Sequence, residues 1–404
     1  MTDYIIEWLS LLGRWLHVIT GIAWIGASFY FVWLDNHLLP PKKQELKDVG
    51  VSGELWAVHG GGFYNAMKYK VAPPALPETL HWFYWEAYST WLSGFFLLCL
   101  IYFGQADLYL IDPAVMALNK LQAIMFGLAF LLGGWVVYDL LCRSPLGRNE
   151  RALSSVLAVL LCIDAWALCH IFSGRGAYIE FGATLGSIMV ANVFFVIMPG
   201  QRALVRAKQE GREPDPVHGL RGKQRSVHNT YFTLPVVFVM ISNHYAMTYG
   251  ASANWLALIG MTAAGAGIRA WFVARHKAHE RGGKTSPLPL VIGLIALAGT
   301  ALLLVPKPPA AVASVAPLPA MEFQQVQSIV QQRCAPCHSA TPTQPGFASA
   351  PKGILLDSPE HILAHSTEMG TQVGSKVMPL ANLTQMTDAE RATVMAWIQH
   401  GSPH

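Results

Sequence analysis

With 53% hydrophobic and only 13% charged residues over 404 positions, this chain is not an ordinary soluble globule, in which about a quarter of residues are charged. The formal net charge of +4 says little as a total, and no nucleic-acid partner is expected. The six cysteines do not read as a disulfide framework: Cys99, Cys142, Cys162 and Cys169 lie in or beside apolar stretches, and Cys334 and Cys337 form a separate motif.

The N-terminus carries Asp3 and Glu7 instead of a basic region, so the first apolar run is expected to be a retained helix and not a cleaved signal. Long apolar windows then follow one another: Leu9–Leu34, Trp82–Phe103, Leu121–Leu141, Ala152–Phe172, Tyr178–Met198, Tyr231–Tyr249, Ala253–Ala274 and Leu288–Val305. Each is close to the roughly 20 residues that cross a bilayer as a helix. The segments between them alternate in charge. The loops after the first, third, fifth and seventh windows hold 19 Lys and Arg, from Lys42 to Lys284, whereas the alternate loops hold only Lys120 and Arg175. That asymmetry puts the odd loops in the cytoplasm and both termini outside.

After Val305 comes a Pro/Ala-rich stretch, 306–320, suited to a semi-rigid spacer. Residues 321–404 contain Cys334-Ala-Pro-Cys337-His338, the spacing of a c-type haem attachment site, with His338 expected beneath the iron. A zinc ribbon would need a second pair of ligands, and no later cysteine exists; a thioredoxin-like site would need a βαβ pattern. The sixth iron ligand is expected downstream among Met369, Met378, Met386 and Met395. Met378 stands before Pro379 in an irregular segment, while a Thr387–Glu390 capping box opens a last helix ending near Gly401. The pattern resembles a small class I cytochrome c, and Met/His ligation raises a haem's potential. The expected fold is therefore all-α: a polytopic membrane bundle of about eight helices over 1–305, then a periplasmic cytochrome c domain.

Ionisable residues within spans are costly and are functional candidates by default. Arg14 and His17 lie in the first window, His81 and Glu86 at the start of the second, and Asp164 and His170 in the fourth. Glu180, then Asn243 and His244, then Arg269 lie in the fifth, sixth and seventh. His17 is about 12 Å from the outer end of its helix and His244 about 8 Å from its own, so the two could share a level and hold a haem b; the alternative is ordinary helix packing. Glu86 and Arg269 lie in the inner half. They could pair, or Arg269 could grip an anion or snorkel to the surface. The string His59-Gly-Gly-Gly-Phe-Tyr64 leads into this region, and its glycines would allow close backbone approach to a ligand. An esterase oxyanion hole is discarded, because no Gly-x-Ser-x-Gly elbow is present.

The chain is similar to the membrane-bound bacterial urate oxidase family with a fused cytochrome c. The likeness runs through WLHVITGIAWIGASFYFVWLDN, VHGGGFY, HWFYWEAYSTWLSG, HNTYFTLPVVFVMISNHY, CAPCH and VMPL. It implies oxidation of urate to 5-hydroxyisourate in the bacterial inner membrane. On this reading urate binds near His59, Glu86 and Arg269, with His59 or Glu86 as proton acceptor. Electrons pass by way of His17 and His244 to a haem c on Cys334 and Cys337, ligated by His338 and Met378. A terminal cytochrome c oxidase or a soluble cytochrome c then takes them. The rival reading is a membrane-anchored cytochrome subunit that serves a partner dehydrogenase or quinol and has no substrate site. A redox-gated transporter is a weaker third, since no inverted repeat is evident.

Overall fold

The computed structural model describes residues 2–280, 283–305, 323–347 and 349–402. The expected linker, 306–320, lies outside the described residues. The first helix, α1, runs over Thr2–His37, and a short α2 follows at Gln44–Asp48. Here the chain departs from the expected long loop: Val51–His59 and Gly62–Tyr69 form an antiparallel hairpin, β1 and β2. The tight turn explains its glycines. Gly60 and Gly61 have φ of 57° and 81°, the doubly positive backbone a two-residue hairpin turn demands. A Leu39–Glu54 bridge and the Lys68–Asp35 ion pair tie the hairpin to the end of α1.

Next come α3 (Trp85–Leu97), continued by a π-turn over Leu98–Phe103, then α4 (Ala106–Tyr109), α5 (Lys120–Arg143), α6 (Glu150–Ile171) and α7 (Gly174–Ala191). A second π-turn, Asn192–Ile197, joins α7 to α8 (Met198–Gln209). The series continues with α9 (Pro216–Ser242), α10 (Ala246–Tyr249), α11 (Asn254–Glu280) and α12 (Leu288–Leu303). Among the described residues six helical stretches are long and apolar enough to cross a membrane: Tyr4–His37, Trp85–Phe103, Lys120–Arg143, Glu150–Ile171, Gly174–Gln209 and Asn254–Arg275. The remaining two expected spans fall on α9, whose first half is polar, and on α12, with only 16 residues.

The bundle is built around α7. Tyr178, Phe181 and Leu185 of this helix are fully buried and pack with Leu168 and Phe172 of the α6 end in one continuous apolar core. Gly182 lets α9 come close, since a Cβ there would sit 2.7 Å from Val239 Cγ1. By contrast α1 lies at the rim, with no buried residue in its apolar window, and leaves Trp15, Ile22 and Leu11 exposed as a lipid-facing helix would.

A small helical unit with its own core closes the chain. Its helices α13 (Phe323–Arg333), α14 (Pro359–Ala364), α15 (Ser366–Gly374) and α16 (Asp388–Gln399) enclose Val326, Val330, Ile362, Val373, Val394 and Trp397. The unit lies against the α4 and α10 end of the bundle. A Cβ on Gly346 would meet Leu108 at 2.8 Å, and one on Gly250 would meet Val377 at 2.7 Å. The loops it touches are the ones poor in Lys and Arg.

Candidate substrate and cofactor sites

In the small unit the cysteine pair continues the last turn of α13. Cys334 N–H donates to Val330 (2.8 Å), and Cys337 and His338 N–H both donate to the Cys334 carbonyl (3.1 and 2.9 Å). This turn gathers two thiols and an imidazole within five residues. Nδ1 of His338 lies 3.0 Å from the Ile354 carbonyl, which fixes the ring and leaves Nε2 to coordinate a metal. Burial holds the imidazole below its ordinary value, hence neutral, as a ligand must be. The four downstream methionines are also sorted. Met369 and Met386 are buried in the apolar core, and the Met395 side chain packs against Gly374. Met378 is half-buried in a loop that Arg391 pins by donating to the carbonyls of Val373 and Met378 (2.6 and 2.7 Å). These residues fit a covalent haem, with Met378 the methionine best free to ligate it.

In the bundle, two expected groupings do not form. His17 Nδ1 faces the Thr90 carbonyl and Ser93 Oγ, both at 3.1 Å, and its ring packs against Gly94 of α3. His244 lies beyond the end of α9 and is exposed, and no hydrogen bond or ring contact joins it to His17 among the described residues. Nothing among the described contacts brings the two rings together, and no step is assigned to a haem b. Nor does His59 join Glu86 and Arg269. It sits exposed at the hairpin turn, where register pairs it with Gly62. Gly60 and Gly61 supply the positive φ of the turn, and Gly62 opens the second strand.

Arg269 is different. Its guanidinium carbon lies over the Phe29 ring of α1, 3.8 Å from the centroid, and buried Nε and Nη2 have no hydrogen-bond partner among the described residues. Tyr231 of α9 lies within its electrostatic reach. Glu86, half-buried in the first turn of α3, forms no ion pair with Arg269 among the described residues. Two buried N–H groups without acceptors carry a desolvation cost that an anion would relieve. A groove of about 740 Å³ continues the α1–α11 seam, lined by His37, Trp271, Phe272, Arg275 and Lys284.

A buried polar network was missed by sequence reasoning, which counted Arg225 among loop charges. Because α9 starts at Pro216, capped by Asp215, Arg225 and His228 lie on a packed helix and are only 3% and 4% exposed. Arg225 donates to Asp139 Oδ1 (2.7 Å) and Asn192 Oδ1 (3.2 Å) and lies over the Tyr138 ring. Asn192 Nδ2 donates to Tyr138 Oη (3.1 Å) and to Asn229 Oδ1 (2.9 Å). His228 places Nδ1 2.7 Å from Tyr138 Oη and Nε2 3.4 Å from Glu150, a carboxylate that is more than half exposed. The chain Tyr138–His228–Glu150 thus links the core to the surface. The one available signal was the run of His228, Asn229 and Thr230 leading directly into an apolar window.

All of these bundle residues fall inside a stretch that matches a known family: the family model for the urate oxidase N-terminal region covers residues 3–303. The chain belongs to the urate oxidase N-terminal family. No curated protein and no solved structure matches it. In this urate oxidase N-terminal family member the matched stretch ends at residue 303, ahead of the Cys334–His338 turn. Membership therefore bears on the bundle and its Arg269 site, and the small unit is read from its own residues.

Proposed function

We propose that this urate oxidase-related chain spans the bacterial inner membrane with eight helices and oxidises urate to 5-hydroxyisourate. The Arg269 guanidinium, over the Phe29 ring with two buried and unpartnered donors inside the family-matched bundle, carries the reading. Urate is a planar anion, and such a site offers it charge, two parallel N–H groups and an aromatic neighbour. The basic groove along α1 and α11 supports approach from the end that bears the Lys- and Arg-rich loops. Glu86 is the proposed proton acceptor, and the chain from Tyr138 through His228 to Glu150 gives a proton a hydrogen-bonded way to solvent.

Oxidation at C5 removes two electrons and two protons from urate as water adds. Cys334 and Cys337 would bind the haem, and His338 with Met378 would ligate its iron, which accepts electrons one at a time. The small unit's position against the Lys- and Arg-poor loops supports a periplasmic face for it, where a terminal cytochrome c oxidase or a soluble cytochrome c can collect the electrons. Anaerobic titration of the purified full chain with urate tests this reading. Urate alone should bring up the ferrous α-band; a protein that responds to quinol and ignores urate would be an electron-transfer subunit instead.

A further inference from the structure

At the end of the bundle that carries the small unit, α6 and α7 are joined by only Phe172 and Ser173. Asp164 and Glu180 each lie eight residues from Phe172, so these antiparallel helices bring them to the same depth, about 10 Å below the turn. Glu180 is fully buried, and neither of its carboxyl oxygens has a hydrogen-bond partner in the protein; the same holds for Asp164 Oδ2. One turn further along α7, Thr184 is 2% exposed and its Oγ1 is also buried without a partner. The side chains sit in a seam made by two glycines of α5. A Cβ on Gly127 would lie 2.7 Å from Glu180 Oε1, and one on Gly134 would lie 2.6 Å from Thr184 Cγ2. The groups facing the pair from neighbouring elements are Cys99 of the first π-turn and Cys169 of α6. Among the described residues no Lys, Arg or His pairs with either carboxyl.

We propose that Glu180 and Asp164, with Thr184, form a proton-holding site in the bundle core, protonated at rest. Two neighbouring carboxylates without donors cannot both ionise in a dry interior. A metal ion would need further ligands, and no cluster of three His, Cys, Asp or Glu side chains exists among the described residues. A proton is the smallest ligand that satisfies the pair, and π-turns such as the one at Cys99 recur at functional sites. The site's role rests on the proposed function. Urate gives up two electrons and two protons, and a haem held by the small unit at this same end of the bundle would receive the electrons one at a time. For each electron the pair would release its resting proton to solvent at that end and be reprotonated from the urate side, so that the interior stays neutral.

Infrared spectroscopy on the full-length protein in detergent tests the site without urate. At neutral pH a protonated-carboxyl band is expected that downshifts in D2O, disappears in Glu180→Gln and moves in Asp164→Asn. Wild-type protein carrying 13C-glutamate should show the same band shifted, which keeps the test valid if the variants fail to fold. No isotope-sensitive band, or a band abolished by sodium ions, would overturn the proposal. During turnover the band should change in step with haem reduction, and a constant band would overturn the relay role. Failure of urate to reduce the haem is read in the visible spectrum and would sink the proposed function, not the resting protonation.

Discussion

A guanidinium in a helix bundle is expensive unless something shares its charge, and among the described residues Arg269 faces Phe29 and the nearby Tyr231. If its free donors receive urate, Arg269→Ala should raise KM for urate about 10- to 100-fold, the worth of a charge-assisted hydrogen bond of roughly 1.5–3 kcal/mol. Arg269→Lys should restore only part of the loss, because an ammonium keeps the charge without the planar fork. Steady-state haem reduction over a range of urate concentrations reads both effects, and an unchanged KM in the alanine variant would remove Arg269 from the site. This residue was legible in the sequence, because an arginine within an apolar window stands out. Arg225 was not. Its place in the buried ion pair with Asp139 depends on α9 extending 15 residues upstream of the apolar window, and hydropathy carries no information on which way a polar side chain points.

Whole elements show the same division. Apolar windows long enough to cross a bilayer announced the helices, since a lipid-facing helix has little freedom in composition. The hairpin is not legible in the sequence, because three consecutive glycines suit a ligand-approach loop as well as a tight turn, and it is the positive φ of Gly60 and Gly61 that assigns them to the turn. Two consequences follow at this scale. His59→Ala should leave urate-driven reduction unchanged. Gly60→Val, which forces a β-branched residue to φ near +57°, should cost the turn about 1–2 kcal/mol and make the hairpin protease-sensitive. Limited proteolysis and turnover assays on the two variants separate shape from chemistry. In the small unit, the capping box opening α16 makes an acid-side prediction. The Thr387 N–H and then the Arg333 guanidinium donate to Glu390 and hold its carboxyl below its ordinary value. With the folded value depressed, this stabilisation is complete above the unfolded value of about 4.3 and is lost as pH falls through the lower folded value. The protection factors of residues 323–402, with the intrinsic pH dependence of hydrogen exchange divided out, should therefore fall on acidification below that point, and Glu390→Gln should flatten the dependence.

For the whole molecule, the charge asymmetry of the loops and the seat of the small unit point to one orientation. In the proposed orientation the Lys- and Arg-rich segments, which include Arg202, Arg206 and Lys208 along α8, would face the cytoplasm. The turns after α4 and between α6 and α7, where Ser173 donates to the Leu110 and Tyr109 carbonyls and Leu108 touches Gly346, would then face outward. Cysteines placed at two exposed positions read the arrangement directly. Ala114→Cys, between α4 and α5, should react with a membrane-impermeant maleimide once the outer membrane is opened, while Glu213→Cys, between α8 and α9, should react only after lysis. The two sites are separated by three expected crossings, α5, α6 and the joined α7–α8, so an odd count puts them on opposite faces. Equal labelling of both before lysis would mean that one of those helices does not cross, and the small unit could no longer be assigned to the outer face by its contact with α4.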